Sequence, residues 1–536
     1  MPKVRRIAGN VIFNWISLAV VTLTGFFLAP FVVHRLGNVA YGVWVLVASL
    51  NSYMGLLDLG MRGAVTRFVS KGYAQGDHAR SSAAVSGALW IRIWLSAAIV
   101  FVGIGFSAGF HRFFSVPPAL LHDARLAILV TAASMAITLS FGVFGGTLAA
   151  LHRYDALSGA NILQTLVRAG GVLWLLTHGH GILALALCEL VAVSIANFLQ
   201  LIFCLRSYPE LKVFFRRPSR ETLQDLWGYS FYAFVINVAI QLVYYTDNLV
   251  VGAFASAASV TLYAIGGSLI GYARSIIGSM TTTFMPLAST FEAQGQQNHL
   301  RSLLIQGTRA TLLVSLPIEL ALFFRGHTFI GLWMGKQYAE PSGTVLQVLL
   351  ISLIVSAGSS ASGGIVYGTE KHRRVALWAI LEGASNLILS VILIRRMGII
   401  GVAWGTTLPS LFVEVVLWPP YICKLVNIEL WEYVWQTWIR TGIAILPFAA
   451  ACYLAERYWP AGNLAFFLLQ SILLLPLFAI GLGIVYWKEL RHRLNTRLGW
   501  FRKSDPQTPT IINGNVNSAV VVQAIETNTE FRSHEW

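Results

Sequence analysis

The chain has 536 residues and carries 38 Lys and Arg against 23 Asp and Glu, which gives a formal net charge of +15. Only 11% of its residues are charged, whereas soluble domains average about 25%. Because 56% of the residues are hydrophobic and mean hydropathy is +0.66, the composition excludes an ordinary soluble enzyme. A backbone in lipid must satisfy its own hydrogen bonds, and the period-2 pattern of a membrane barrel is absent. We therefore predict an all-α polytopic membrane protein.

Apolar segments long enough to cross a bilayer recur along most of the chain and predict about fourteen transmembrane helices. The first follows Lys3, Arg5 and Arg6, but no small-residue cleavage site ends it, so it reads as a retained span rather than a signal peptide. The predicted spans are 10–34, 40–59, 83–109, 122–151, 157–177, 181–205, 228–254, 258–285, 308–330, 344–368, 374–395, 398–423, 437–456 and 462–487.

The distribution of Lys and Arg predicts that both termini are cytoplasmic. With that orientation most basic residues fall in inside loops, as the positive-inside rule requires. The central loop, the segment around Lys371 and the run from Lys488 to Lys503 agree with it most strongly. Arg395 and Arg396 must lie outside and disagree with it, so their hairpin is where an error in topology is expected.

A polar loop divides the first six spans from the next six. The predicted organisation is an N-lobe (1–206), a cytoplasmic linker (207–227), a C-lobe (228–424), two extra spans (425–487), and a basic juxtamembrane segment with a disordered tail (488–536). Each half also contains an amphipathic stretch that ends in a similar motif, Ala74-Gln75-Gly76 and Ala293-Gln294-Gly295. Internal repeats of this kind are typical of transporters that work by alternating access.

Two segments resemble a known family. They are Leu36–Trp44 (LGNVAYGVW), followed by Gly55–Gly60 (GLLDLG), and Tyr244–Gly252 (YYTDNLVVG), followed by Tyr263. The former segment is similar to the N-terminal signature of bacterial lipid-linked oligosaccharide flippases of the O-antigen type. These form the polysaccharide transporter branch of the multidrug/oligosaccharidyl-lipid/polysaccharide exporter superfamily. The latter segment resembles the seventh span of that family.

The resemblance covers the first twelve spans and implies both a fold and a function. It implies two pseudo-symmetric six-helix lobes in a V, with a central cavity, plus two C-terminal helices. It also implies export of an undecaprenyl-diphosphate-linked glycan from the cytoplasmic to the periplasmic leaflet of the inner membrane, for O-antigen, capsule or exopolysaccharide synthesis.

Several arginines lie inside predicted spans, where a charge is costly and usually functional. Arg274, Arg92 and Arg168 are candidate substrate-binding cations, because a guanidinium is always charged and matches phosphate oxygens. Arg92 alternatively reaches the membrane interface, and Arg168 alternatively pairs with a neighbouring helix. A helix-pairing role is also open for Arg274.

Acids inside spans could pair with these arginines or couple transport to an ion, H+ or Na+. The candidates are Asp247, Glu189, Glu382 and Glu414, and Glu319 is a further buried acid. Asp247 lies among Tyr244, Tyr245 and Asn248, side chains suited to a sugar-lined cavity, although a structural hydrogen bond would also explain it. Asp58 is expected to cap its helix or to pair with Arg62.

Cofactor and metal sites are not expected. Cys188, Cys204, Cys423 and Cys452 show no ligand spacing and read as small core residues. His178 and His180 lack a carboxylate partner and indicate a solvated turn. No phosphate-binding loop motif for nucleotides is present, so the chain itself is not expected to hydrolyse nucleotide.

Three classes of function compete. A glycan-lipid flippase, which breaks no covalent bond, fits best. Its expected partners are membrane lipids, a polysaccharide polymerase and export machinery, and no nucleic acid is expected. A multidrug or cation antiporter should carry net acid in the N-lobe, which instead holds Arg92 and Arg168 against Glu189. A peptidoglycan-precursor flippase stays open. A glycan polymerase or ligase needs an exterior catalytic loop, and the exterior loops are short.

Overall fold

The computed structural model describes residues 2–215, 238, 241–243, 245–281, 284–369, 371 and 373–503. All regular structure in these ranges is helical, and eleven helices there are long and apolar enough to cross a membrane. The predicted all-α polytopic fold is confirmed. The helices are α1 (Pro2–Met54), α2 (Met61–Gln75), α3 (His78–Phe113), α4 (Pro118–Ala150), α5 (Tyr154–Thr177), α6 (Ile182–Ser207), α7 (Thr246–Phe254), α8 (Ala257–Thr281), α9 (Phe284–Ala293), α10 (Gln297–Trp333), α11 (Lys336–Gly368), α12 (Arg373–Met397), α13 (Ile399–Leu425), α14 (Leu430–Tyr458) and α15 (Leu464–Lys503).

The count of fourteen spans stays a prediction. The first two predicted spans correspond to two helical segments of α1, which meet at Gly37, where a φ of 75° and a ψ of 168° interrupt the helix. Helix α5 is 24 residues long but is not among the eleven. Most of predicted span 228–254, like residues 216–227 of the predicted linker, lies outside the described residues.

The two ends of the bundle differ in their connections. One end carries the 3-10 turn at Gly55–Asp58, the α4–α5 turn and residues 208–215, and is called the linker end. The other carries the kink at Gly37 and the α7–α8 and α10–α11 turns, and is called the far end. Arg395, in the last turn of α12, stacks on Phe254 at the far end, with the ring centroid 5.9 Å away. The hairpin at Arg395 therefore lies at the end of the bundle opposite the linker, where the span order predicted it.

Polar contacts fix the linker end of the first half, α1–α6. Arg153 donates from Nε and Nη2 to the two carboxylate oxygens of Asp155, at 2.9 Å each, and from Nη1 to Ser207 at 3.0 Å. The guanidinium lowers the pKa of the Asp155 carboxyl. A second bond of 2.8 Å joins His78 Nδ1 to the Tyr208 hydroxyl. These contacts tie the ends of α4, α5 and α6 to the start of α3.

The two repeated motifs end equivalent helices. Helix α2 ends at Gln75 and is followed by Gly76 at φ 70°. Helix α9 ends at Ala293 and is followed by Gly295 at φ 66°. Both glycines occupy the left-handed conformation that commonly terminates a helix. The repeated glycine therefore has the same structural role in both halves.

The helices that follow α9 form pairs. Helix α10 packs along α11, and α12 packs along α13. Helix α14 lies beside α10, since Arg309 Nε donates to the Gln436 carbonyl at 2.7 Å and Phe324 packs on Tyr453. A compact unit extends through Val485, and the residues from Tyr486 onward form a second unit.

Candidate functional site: a charged junction between the two halves

The second segment of α1 lies antiparallel to α7 and joins the first half of the chain to the second half, α7–α13. Its contacts, from the far end to the linker end, are Gly42 with Ala257, Leu46 with Gly252, Ser49 with Asn248, and Tyr53 with Gln241. A Cβ at position 42 would lie 1.7 Å from the Ala257 carbonyl oxygen. Only glycine allows the backbones to approach this closely.

Hydrogen bonds close the far end of this junction. The Thr261 hydroxyl donates to the Asn38 carbonyl at 2.6 Å, and the Tyr338 hydroxyl bonds to the Asn38 side chain. The indole of Trp333 donates to the Phe26 carbonyl at 3.0 Å and stacks on the Phe26 ring. These contacts attach α1 to both α8 and the α10–α11 turn.

Arg168 forms an ion pair at mid-depth of the first half. Its Nη1 lies 3.3 Å from Glu189 Oε2, and Gln164 donates to the other oxygen of that carboxylate at 3.4 Å. Both charged side chains keep solvent exposure, 36% for Arg168 and 22% for Glu189. Arg168 is also within electrostatic reach of Tyr272 on α8. The predicted pairing with a neighbouring helix is present, and the pair stays accessible.

Arg274 lies half-buried on α8, within electrostatic reach of Asp247 and Glu382. Two residues before it, Tyr272 points its hydroxyl at α1, where a Cβ on Gly25 would lie 3.2 Å away. The α8 segment from Tyr272 to Arg274 therefore touches the first half on one side and the acids of the second half on the other.

Asp247 lies in a ring of polar groups from four helices. The Tyr263 and Thr406 hydroxyls donate to its Oδ2, at 2.6 and 2.7 Å. Asp247 is 5% exposed, and its Oδ1 has no hydrogen-bond partner. Asn386 donates to Thr406 at 3.2 Å. The predicted structural hydrogen bonds are present, but they satisfy only one of the two carboxylate oxygens.

Further oxygen atoms surround this ring. The Ser390 hydroxyl donates to Asn386 Oδ1 at 3.2 Å, and it also lies 3.4 Å from the Val402 carbonyl. Carboxylate, carbonyl and hydroxyl oxygens are the ligands that hard cations prefer. The arrangement can therefore hold either a proton or a small cation.

Glu382 and Glu414 lie close to each other and to hydroxyl groups. Glu382 interacts with Ser410, Glu414 interacts with Ser359, and the two acids are within electrostatic reach of each other. Glu414 Oε2 is buried without a hydrogen-bond partner. Glu414 sits in a π-helical turn, Val413–Leu417, within α13. Such turns occur mostly as single bulges and frequently at functional sites.

Two of the three predicted aromatic and amide lining residues, Tyr245 and Asn248, lie within the described residues. Asn248 donates to Ser49 at 3.3 Å across the α1–α7 junction, so it contributes to packing between the halves. Tyr245 is 39% exposed. Tyr244 lies outside the described residues.

The structure places Arg92 away from this junction. Its side chain is 1% exposed, forms an ion pair with Asp58, and donates to the Leu139 carbonyl at 3.1 Å. A Cβ on Gly142 would lie 2.8 Å from Nη1, so glycine makes room for the guanidinium. The expectation that Asp58 pairs with Arg62 is corrected, because Arg92 is its partner, and the alternative that Arg92 reaches the membrane interface does not fit its burial.

We expect Asp58→Ala to destabilise the protein by about 3 kcal/mol, because it leaves the buried Arg92 charge uncompensated. Thermal unfolding in detergent measures the effect. The double variant Asp58→Ala/Arg92→Leu is expected to recover part of the loss, since it removes the unpaired charge. Equal stability of wild type and Asp58→Ala would show that the ion pair contributes nothing.

Several residues of the junction were not predicted from the sequence. They are Gly25, Asn38, Thr261, Tyr272, Asn386, Ser390 and Thr406. One signal was available, because Asn386 and Ser390, like Val402 and Thr406, are four residues apart and share a helix face. Asn38 lies in the Leu36–Trp44 motif, but its contact with Thr261 carried no such signal, since it joins residues 223 positions apart.

The family model described as polysaccharide biosynthesis protein matches residues 69–343, more than half of the chain. The chain belongs to this family. It is 24% identical over 409 residues to the uncharacterized membrane protein EpsK of Bacillus subtilis, covering 74% of this chain and 79% of the relative. It is 23% identical over 422 residues to the probable low-salt glycan biosynthesis flippase Agl15 of Haloferax volcanii, covering 78% and 83%.

The fold also matches a solved structure. The lipid II flippase MurJ, in an inward closed conformation, superposes with a TM-score of 0.68 at 15% identity, covering 90% of this chain and 99% of MurJ. At this identity the match establishes a shared fold. The resemblance drawn from the Leu36–Trp44 and Tyr244–Gly252 motifs is thereby confirmed at the level of the family and the superfamily fold.

Proposed function

We propose that this protein is a flippase that carries an undecaprenyl-diphosphate-linked oligosaccharide across the inner membrane by alternating access. The relative named as a glycan biosynthesis flippase supports the cargo class, and the MurJ-like fold supports the mechanism. Cargo enters from the cytoplasmic leaflet and leaves in the periplasmic leaflet, for cell-surface polysaccharide synthesis. No covalent bond is made or broken, so the protein is a transporter and not an enzyme.

The observation that carries this proposal is a pair of arginines, Arg168 on α5 in the first half and Arg274 on α8 in the second. Arg168 keeps 36% exposure beside Glu189, and Arg274 lies within electrostatic reach of Asp247 and Glu382. Guanidinium groups bind phosphate oxygens strongly in a low-dielectric site. While no cargo is bound, these acids stabilise the arginines. A diphosphate held between the two arginines would displace the acids. Arg92, which is buried against Asp58, is assigned a structural role.

Alternating access requires that the two halves separate at one end at a time. We propose that the linker end, where the basic loops lie, faces the cytoplasm, with both termini on that side. The contacts of Asn38 with Thr261 and Tyr338 then seal the periplasmic end. A lobe of residues 1–206 would rock against a lobe of residues 228–424.

Transport of a bulky anionic lipid needs an energy source, and the Asp247 ring supplies a site for the coupling ion. The free Oδ1 of Asp247 can accept a proton, and this oxygen, Asn386 Oδ1 and the Val402 carbonyl can coordinate Na+. Glu382, within electrostatic reach of Arg274, and Glu414, within reach of Glu382, would respond to the same event. Partners in this account are membrane lipids, the glycan lipid, and a polymerase and export machinery downstream.

Arg274→Ala tests the proposal. We expect flipping of a fluorescent undecaprenyl-diphosphate oligosaccharide in proteoliposomes to fall about 10- to 100-fold, since a charged hydrogen bond contributes about 1.5–3 kcal/mol. The matched control is Arg457→Ala, which removes an exposed arginine whose partner is Tyr453 on its own helix. Detergent stability of both variants confirms that they fold.

The outcomes separate the competing functions. Undiminished flipping by a folded Arg274→Ala variant would remove Arg274 from the site. Transport of cationic drugs with no movement of glycan lipids would favour the antiporter. Transport of the peptidoglycan precursor alone would favour that flippase. Covalent change in the glycan lipid would favour a membrane enzyme.

A further inference from the structure

A buried polar seam runs along the interface between α10 and α14, apart from the junction described above. The two helices are parallel, because Thr308 meets Tyr433 near the linker end and Thr328 bonds to Glu456 near the far end. Each helix contains a proline, Pro317 in α10 and Pro447 in α14, and the two prolines lie at similar depth along the parallel helices. Each proline frees the carbonyl four residues before it from the helical hydrogen-bond pattern.

Hydroxyl groups line the seam from the linker end to mid-depth. On α10 they are spaced three or four residues apart and share one face, and on α14 they are spaced four apart. They are Thr308, Thr311 and Ser315 on α10, and Tyr433, Thr437 and Thr441 on α14, all at most 2% exposed. At its linker end the seam meets the half-exposed ion pair of Arg301 and Glu432.

Glu319 stands at the end of this row of hydroxyls. It is 0% exposed, and neither carboxylate oxygen has a hydrogen-bond partner. Ser315, one turn earlier on the same face, is its polar neighbour, and the Ser315 hydroxyl also lacks a hydrogen bond. A buried ionised carboxylate without a partner is very unfavourable. A neutral carboxylic acid is far less costly, because it carries no net charge and its single O–H can donate to a neighbouring oxygen such as the Ser315 hydroxyl.

A fixed cation lies between Glu319 and the far end. Arg325, six residues or about 9 Å further along α10, is 0% exposed. It donates to Gln470 Oε1 at 2.5 Å, lies 3.5 Å from Glu456 Oε2, and stacks on Phe467. A fixed guanidinium in a narrow path opposes the passage of a proton. Arg325 therefore disfavours the entry of a proton to Glu319 from the far end.

Most other titratable groups on the helices around Glu319 lie toward the ends of the seam. Helix α14 places Cys452 and Glu456 toward the far end and Glu432 and Tyr433 toward the linker end. Arg440, also on α14 and one residue before Thr441, donates to the Val485 carbonyl at 3.2 Å. Helix α11 has Lys336, Tyr338, Glu340 and Tyr367 near its own ends, and the charged group of α8, Arg274, faces Asp247 and Glu382. Among the described residues, none of these is an electrostatic partner of Glu319.

We propose that Glu319 is a proton-binding site, filled and emptied from the linker end through the hydroxyls of the α10–α14 interface. Thr308 contacts Tyr433 at 3.4 Å, whereas Thr311 and Thr437 donate to carbonyls of their own helices. Because a hydroxyl can both donate and accept a hydrogen bond, rotation of these side chains would connect the row and relay a proton to the carboxylate. Binding forms one O–H bond on Glu319 and leaves no charge in the interface. Release creates a buried charge and loosens the packing of α14 on α10. The site adds to the proposed flippase a dependence on the pH at one membrane face.

Infrared spectroscopy of the reconstituted protein, without any glycan lipid, tests the site. Wild type is expected to show at neutral pH a carbonyl band of a protonated carboxyl that Glu319→Gln lacks, while the exposed-acid control Glu340→Gln retains it. Identical spectra for wild type and a folded Glu319→Gln would mean that Glu319 is ionised, and would overturn the proposal. Because no cargo is present, this result is independent of whether the protein flips glycan lipids.

The route is tested by hydrogen–deuterium exchange of the same band. Thr441→Val and Tyr433→Phe remove hydroxyls with little change of shape, and each is expected to slow the exchange. The control Thr328→Val alters a hydroxyl on the far side of Glu319 and is expected to leave the rate unchanged. Exchange that is unaffected by the first two variants, or is slowed only by Thr328→Val, would contradict entry from the linker end.

Discussion

Joining Asn38→Cys to Thr261→Cys with a short bis-methanethiosulfonate reagent, which links the thiols through reducible disulfides, is expected to reduce flipping to the rate of protein-free liposomes. The Thr261 hydroxyl lies 2.6 Å from the Asn38 carbonyl, so the two positions are within reach of such a reagent. The bond fixes α1 to α8 at the far end. A transporter that must separate its halves there cannot complete a cycle from a single conformation. Flipping should return when the crosslink is reduced.

A control pair within the second half distinguishes this effect from general damage. His327 and Thr344 lie 3.4 Å apart on α10 and α11, near the same end. Crosslinking His327→Cys to Thr344→Cys leaves the two halves free to separate and should preserve flipping. If the Asn38–Thr261 crosslink forms completely and flipping continues, the far-end contacts do not open during transport, and the proposed cycle is wrong.

Asp247→Asn is expected to abolish the response of flipping to an imposed H+ or Na+ gradient. Asparagine keeps the shape and can still bond to Tyr263 and Thr406, but it cannot carry the negative charge that binds a cation. Downhill exchange of glycan lipid should continue at a reduced rate, because the cargo site at Arg274 and Arg168 is unchanged. The measurement compares flipping with and without each gradient in sealed proteoliposomes.

Glu340→Gln is the matched control, since it neutralises an acid that is 87% exposed near the far end. It should leave the gradient response intact. If Asp247→Asn retains the full response, the Asp247 ring is structural only. If it loses the response to one gradient alone, that gradient identifies the coupling ion.

Hydropathy predicted the helical fold, because the apolar segments are long enough to cross a membrane and a backbone there must satisfy its own hydrogen bonds. Few structures other than helices do this. Gly76 and Gly295 were recognised as parts of a repeated Ala-Gln-Gly motif, and the structure adds that both have the left-handed conformation that ends a helix. The predicted break between the first two spans is present, since Gly37 interrupts the helix between residues 34 and 40. The two-lobed division stays a prediction, as residues through Val485 form one compact unit.

The candidate charges were visible because an ionisable residue inside an apolar span is conspicuous. The partner of each charge was harder to predict. Arg168 does pair with Glu189, but Arg92 pairs with Asp58 across 34 positions of sequence, and no local pattern announces such a contact. Neutral partners such as Thr406 and Asn386 resemble ordinary polar residues in helices. Only the fold brings them around Asp247, which is why sequence supplied the charges but not the site.

Cargo selection by Arg168 and Arg274 is tested by measuring flipping by the wild-type protein in proteoliposomes. Two fluorescent cargoes with the same oligosaccharide are compared, one on undecaprenyl diphosphate and one on an uncharged polyprenyl lipid. We expect the diphosphate lipid to move between leaflets well above the protein-free rate and the uncharged lipid not to do so, because Arg168 and Arg274 select the anion. Equal movement of both lipids, or movement of neither, would contradict this expectation.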